Sequence, residues 1–296
     1  MSKAREIASS ENVSGFKNLI INGGFDIWQR GESFTDMTDW NYTADMFKVY
    51  GVSDVSRLDD GRLYLLSSNT DTDHVISQPI ESGDKLRGKT LTMQVDIEWL
   101  QGADCSLQLT WRDSDLVWIN SHIERLDSLM VIGERKVITM TVDIPDDSNI
   151  EYLDYRVVTN TDSDTLELKL ANAQLELGDT ATPFEQRPIG LELSLCQRYY
   201  QVMENILSIA ISTSRINCSY FHSVTPRTLP SYTFYSKNGT IGDTSVYNDI
   251  YTDIGASLLA TTSVQSLNGL LFITDDNSKL TSGTYYSISY TADASI

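Results

Sequence analysis

The stretch Leu91-Thr92-Met93-Gln94-Val95-Asp96-Ile97-Glu98-Trp99 decides the fold class. Apolar side chains take every second position and polar ones fill the gaps, the two-residue period of a strand with one dry and one wet face. The pattern returns in Cys105, Leu107, Leu109 and Trp111 after the Gly102 break. These two segments are expected to pair as a hairpin with a loop near Gln101 to Asp104. Ile138, Met140, Val142 and Ile144 give a further strand, stopped by Pro145 and the Asp146-Asp147-Ser148-Asn149 turn, and Leu153, Tyr155 and Val157 give another. Between Thr165 and Leu177 the apolar phase moves from Leu166, Leu168 and Leu170 to Ala173, Leu175 and Leu177, as a β-bulge produces. Many short alternating strands without helical periods predict an all-β chain, with an N-terminal jelly-roll β-sandwich over residues 18–187.

Working outward, residues 1–17 read as an N-terminal arm or short helix. Pro188 can open a helix, and Leu191, Leu195 and Tyr199 follow at i, i+4 spacing, so a short linking amphipathic helix is expected over 188–202. Alternation resumes with Leu207, Ile209 and Ile211 and runs to Tyr286, Ile288 and Tyr290. Residues 203–296 therefore read as a small C-terminal β-domain, whose limited core makes oligomerisation the expected source of further burial.

Among 296 residues, 41 Asp and Glu face 22 Lys and Arg, a net charge of -19. Phosphate binding needs clustered cations, and after Val202 only Arg215, Arg227, Lys237 and Lys279 remain, so nucleic acid is not an expected partner. No apolar run approaches the roughly 20 residues of a membrane span. The opening MSKAREIASSENVSGF lacks a signal-peptide core, and synthesis and retention in a cytoplasm are expected. Cys105, Cys196 and Cys218 are odd in number and far apart, against a disulfide framework or a zinc site. No cofactor is expected. A structural calcium ion stays open, because carboxylates abound while no EF-hand spacing singles out ligands.

No nucleophile elbow, zincin motif, P-loop or Rossmann glycine pattern is present in the sequence, and His74, His122 and His222 stand apart, so no catalytic residue is expected. Asp36, Asp39 and Asp45 beside Trp40 and Tyr42 make the one carboxylate cluster that suits glycoside hydrolysis, a cluster expected by chance in so acidic a chain. Sugar binding asks only for an exposed aromatic platform beside polar groups. Trp99 and Trp111 fall on apolar strand faces and read as core. Trp40, Tyr42 and Trp118 lie in polar-flanked stretches and are the candidate carbohydrate-binding residues, with Trp118 expected at a hairpin tip. Tyr232, Tyr235, Tyr247, Tyr251, Tyr285 and Tyr286 offer a second possible receptor face.

Four motifs occur in order: Asn18-Leu19-Ile20-Ile21-Asn22-Gly23-Gly24-Phe25-Asp26-Ile27-Trp28-Gln29-Arg30-Gly31; Tyr42-Thr43-Ala44-Asp45-Met46-Phe47; Ala173-Gln174-Leu175-Glu176-Leu177-Gly178 with Ala181-Thr182-Pro183-Phe184-Glu185-Gln186-Arg187-Pro188; and Leu195-Cys196-Gln197-Arg198-Tyr199-Tyr200. Together they resemble phage tail-fibre and head-fibre proteins that carry a jelly-roll of carbohydrate-binding-module, galactose-binding-like type. The resemblance spans residues 18 to 200. It implies a homo-oligomer, a trimer, in the virion, contacting other virion proteins and host-surface polysaccharide. A purely structural tail or head-decoration role and a polysaccharide depolymerase are the alternatives it leaves. Read physically, the motifs are mostly structural punctuation, with Asn22-Gly23-Gly24 turning the first strand sharply.

Overall fold

The computed structural model describes residues 16–68, 73–102, 105–159, 165–213, 215–219, 222–235, 247–248, 258–260, 270–275, 282–283 and 285–296. Residues 1–15, most of the expected arm, lie outside them. Contacts divide the chain into two units, 1–189 and 190–296.

In the first unit the strands are β1 (Ser33–Met37), β2 (Asn41–Tyr42), β3 (Lys48–Tyr50), β4 (Val52–Arg57), β5 (Leu63–Ser67) and β6 (His74–Ile80). They continue with β7 (Thr90–Gln101), β8 (Cys105–Arg112), β9 (Trp118–Arg125), β10 (Arg135–Asp143), β11 (Tyr152–Thr159) and β12 (Leu166–Leu177). Sheet I runs β1-β4-β5-β12-β7-β10 and sheet II runs β2-β3-β6-β11-β8-β9. All pairings are antiparallel, and the result is a jelly-roll β-sandwich. Leu91, Met93, Val95, Ile97 and Trp99 of β7 meet Cys105, Leu107, Leu109 and Trp111 of β8 in one buried cluster. Each such aliphatic side chain contributes about 1.5–3 kcal/mol through burial.

The expected β7–β8 hairpin does not form. β7 pairs with β10 and β12 in sheet I, whereas β8 pairs with β9 and β11 in sheet II. Alternation fixes which face of a strand is dry, and both arrangements point the same side chains at the same core. The chain crosses between the sheets here instead of turning back in its own plane.

The phase change in β12 is a bulge. Ala171 pairs with Asp96 and Gln174 with Gln94, so Asn172 and Ala173 together oppose Val95, and Asn172 takes a left-handed φ of 53°. Leu166, Leu168, Leu170, Ala173 and Leu175 point inward, but Leu177 ends the strand exposed.

The backbone groups freed by the bulge are taken up by the first motif. The Leu19 N–H donates to Leu175 O (2.7 Å), the Ala173 N–H to Gly23 O (2.8 Å), and Asn18 Nδ2 to Ala173 O (3.1 Å). A Cβ at Gly23 would lie 2.1 Å from Ala173 O, so only glycine permits this approach. Asn18–Gly23 is therefore not a strand but an irregular segment that completes β12, and the expected turn at Asn22-Gly23-Gly24 is present, closed by the Phe25 N–H donating to Asn22 O (2.8 Å). Buried Arg187 donates from its guanidinium to Ile20 O (2.9 Å) and to Asn18 O, and the Asn18 N–H donates to Glu185 Oε2 (2.9 Å). The two ends of the module are stitched together by the motifs that mark them.

The second unit holds helix α1 (Ile189–Gln197) and β13 (Tyr200–Ser212), β14 (Arg215–Ser219), β15 (Ser231–Tyr235), β16 (Tyr247–Asn248), β17 (Leu258–Ala260), β18 (Leu270–Asp275) and β19 (Tyr285–Asp293). Its sheet runs β15-β19-β13-β14-β18-β17, with β16 on β19. The helix is shorter than 188–202, because Tyr200 already pairs with Asp293 as β13 begins. It buries Glu192 and Cys196, not the expected Leu191 and Leu195. The His222 ring packs on Tyr232, its Nε2 lies 3.1 Å from the Tyr232 hydroxyl, and burial lowers its pKa. Tyr251 and the side chains of Tyr235, Tyr247, Tyr285, Tyr286 and Cys218 lie outside what is described.

Candidate functional site

Strand register identifies the outward face of sheet II. Leu153, Tyr155 and Val157 of β11 enter the core, so Tyr152, Asp154, Arg156 and Val158 point away from it. Following the pairings sideways from Arg156 gives one continuous outward row, Tyr42, Lys48, Ser77, Arg156, Gln108 and Ile123. The adjacent row on one side contains Tyr50, and four residues along β11 on the other side Tyr152, Arg112 and Trp118 align.

Trp40, just before β2, lies over one end of this face. Its ring centroid is 5.4 Å from that of Tyr50, 5.4 Å from Lys48 Nζ and 5.9 Å from the Arg156 guanidinium carbon, and the residue is 41% exposed. The Arg30 guanidinium carbon lies 4.8 Å from the Tyr42 ring centroid. Trp40 and Tyr42 thus belong to one cluster. Trp118 shares the sheet but opens β9 on its opposite edge, past the Asp113–Val117 turn instead of at its tip, and is 57% exposed. Five strand spacings separate β2 from β9, about 24 Å.

The electrostatics of this face set it apart. Burial pulls the Lys48 pKa below the usual lysine range, with Asp154 opposing and Arg112 and Arg156 reinforcing the shift. Burial likewise lowers Arg156, against the attraction of Asp154 and Asp73 and with the repulsion of Arg112. Asp154 is itself engaged, since Arg112 Nε donates to its Oδ2 at 2.5 Å. Among the described residues, no carboxylate lies within 4.0 Å of Lys48 or Arg156. Ser77 Oγ, Thr110 Oγ1 and Arg156 Nε are buried atoms without a hydrogen-bond partner, and all three belong to this outward face. Unsatisfied buried polar atoms are rare in native proteins, and three on one face single it out as the candidate site.

The carboxylate cluster separates. Asp45 is buried, accepts from the Gln29 N–H (3.1 Å) and Gln29 Nε2 (2.5 Å), and faces Arg30 at 3.8 Å, while Asn22 Nδ2 donates to the Asp45 carbonyl (2.9 Å). Asp39 accepts from the Trp40 N–H (2.8 Å), and Asp36 sits in β1 of sheet I with a φ of 58°. Each does a different local task. Buried His74 meets Thr159 Oγ1 at 2.9 Å, and His122 is exposed on β9. Among the described residues no three His, Cys, Asp or Glu side chains are grouped to hold a metal ion.

A second cleft, of 280 Å³, lies between Asp26, Asp60, Arg62, Arg135, Asn172 and Gln186. Its cations are neutralised, Arg62 by Asp60 (2.7 Å) and Glu98, and Arg135 by Asp96 (2.8 Å).

Fold and face together define an all-antiparallel jelly-roll sandwich with one open sheet carrying aromatic side chains and uncompensated cations. No protein-family model matches the chain, and no curated protein matches it. Solved structures with similar folds include the enzymatically active domain of bacteriophage CBA120 tailspike protein 4, at 11% identity and a TM-score of 0.39, over 54% of this chain and 21% of that one. A family 16 carbohydrate-binding module is similar over 53% of this chain and 99% of its own, at 13% identity and a TM-score of 0.34. A cyclase from Fischerella sp. TAU is similar over 56% and 100%, at 13% identity and a TM-score of 0.38. The chain spans about a fifth of the tailspike domain it resembles.

Proposed function

We propose that this protein is a non-enzymatic subunit of a phage fibre, assembled in the virion as a homotrimer, that attaches to host-surface polysaccharide through the outward face of sheet II. The observation that carries the binding role is the half-exposed Trp40, set against Tyr50 above a row of buried polar atoms that lack partners. An aromatic ring gives a sugar an apolar platform, and unsatisfied donors and acceptors beside it give specificity. The fibre role is supported by the ordered motifs at residues 18 to 200. The experiment is a glycan array probed with the intact oligomer and with Trp40→Ala. Retention of at least one glycan, weakened tenfold or more by the substitution, is expected. No retained glycan, or equal retention by the variant, overturns the binding role. Release of reducing sugar would make the protein an enzyme, and a monomeric native mass at micromolar concentration would remove the fibre.

A purely structural role in the tail or head is favoured by a different observation. Val131, Ile132 and Val137, at and before the β10 edge, are 69%, 57% and 55% exposed, an apolar strip suited to another virion protein.

A further inference from the structure

We infer that the ligand of the sheet II face is an acidic glycan, whose anionic group sits between Lys48 and Arg156 above Ser77 while its sugar ring lies against Trp40. The inference rests on the glycan-binding reading and names the sugar class it requires. Lys48 and Arg156 flank Ser77 in register, one strand on either side, and their charged groups converge on the same indole at 5.4 and 5.9 Å. Of the carboxylates that act on the two cations, Asp154 is occupied by Arg112 at 2.5 Å, and exposed Asp73 attracts Arg156 without coming within 4.0 Å of it. The Ser77 hydroxyl between the two cations is buried without a partner and is available to donate.

Charge complementarity selects the occupant. In a chain of net charge -19 with nearly twice as many acids as bases, a cation would readily find a carboxylate, and the cations on the outward side of sheet I do. Two partly desolvated cations held over one indole, neither with a carboxylate within 4.0 Å among the described residues, therefore form a preorganised anion site. The hydroxyls of a neutral sugar seated there would accept hydrogen bonds from both cations but leave their charges uncompensated in a partly desolvated place. An anion between them neutralises both and accepts from Ser77 as well. An acidic peptide would satisfy the same cations, but it would make no use of the adjoining Trp40 platform. A uronic acid and a sulfated sugar share the chemistry the site reads.

The test uses the intact oligomer and immobilised polygalacturonate, alginate and hyaluronan, each beside its carboxyl-reduced counterpart, with dextran sulfate as a carboxylate-free arm. Retention of at least one acidic polymer is expected, with a loss of tenfold or more on carboxyl reduction and again in Lys48→Gln/Arg156→Gln. Retention of dextran sulfate alone assigns the anion as sulfate, with the same dependence on both cations. Lys169→Gln, which changes a paired cation on sheet I, should bind as the parent does. Urea midpoints confirm that each variant is folded, and Lys48→Gln alone serves if the double variant is not. Equal retention of acidic and reduced polymers, or no effect of the double variant, overturns the acidic assignment and leaves glycan binding standing. If neither these polymers nor any arrayed glycan is retained, both readings fall. A changed native mass in the double variant would assign the cations to a neighbouring copy and overturn the proposal.

Discussion

The two outward faces of the sandwich are built alike and charged differently. On sheet I, Glu98 receives Arg62 and Lys169, Arg135 forms a two-pronged pair with Asp96 at 2.9 and 2.8 Å, and the Tyr64 hydroxyl donates to Glu167 at 3.0 Å. On sheet II, Lys48 and Arg156 have no such partner, and Ser77 and Thr110 carry buried hydroxyls with nothing to bond. A face that serves only the fold closes its own hydrogen bonds and charges. A face held open at a cost in stability is where the proposed ligand would repay that cost, so that stability and function would oppose each other in one sheet.

The largest expected effect comes from making sheet II more extreme. Asp154 is buried and paired with Arg112, while Arg112 also donates to Leu116 O at 2.7 Å and so ties the β8–β9 turn. Asp154→Asn should lower stability by about 2 kcal/mol, read as a urea midpoint, because a largely buried pair is broken. The same change frees Arg112 and should tighten retention of an acidic polysaccharide severalfold. Lost stability without tighter binding would mean that the face does not read charge.

A smaller effect is expected on sheet I. Hydrogen bonds from Arg62 and then Lys169 hold the Glu98 carboxyl below its ordinary value of 4.5. A carboxyl whose pKa is depressed by folding adds stability that is complete above the unfolded value and is lost as pH falls through the folded one. Glu98→Gln should therefore cost about 1 kcal/mol at neutral pH, within the range of partly exposed pairs, and flatten the decline in stability below about pH 4.5. Polysaccharide retention should not change. A binding defect in this variant would place the site on the wrong sheet.

How much of this was legible in the sequence follows from what each pattern encodes. The β7 alternation marks the strand and its buried face but not the partner of β8, because period two carries no information about which sheet a strand joins. The bulge was legible as a phase change at Ala173, but the segment that satisfies it, Asn18–Gly23, comes from the far end of the module. Local sequence does not announce such a partner. In the candidate site, Trp40 and Tyr42 stood out as aromatics in polar surroundings. Lys48 and Arg156 did not, since each is an ordinary cation until β3, β6 and β11 lie side by side. Trp118 had the same signature as Trp40, and only the strand order separates the two across the sheet.

The last expected effect is no larger than that at Glu98 but has the opposite sign, and is therefore the sharpest. If Lys48 served the fold, removing its charge would lower stability, as at Glu98. The side chain is largely desolvated, has no carboxylate within 4.0 Å among the described residues, and feels Asp154 only at a distance and against the repulsion of Arg112 and Arg156. Replacing such a charge with an apolar chain of similar length is stabilising, because the cost of burying it disappears while the packing of the stem is kept. Lys48→Met should raise stability by about 1 kcal/mol, or about 2–4 °C in the melting temperature of a unit this size. It should at the same time weaken retention of an acidic polysaccharide. Raised salt should shrink the difference in binding between variant and parent, since screening acts on the charge that the substitution removes. Lower stability in Lys48→Met would mean that sheet II, like sheet I, is charged for its own sake.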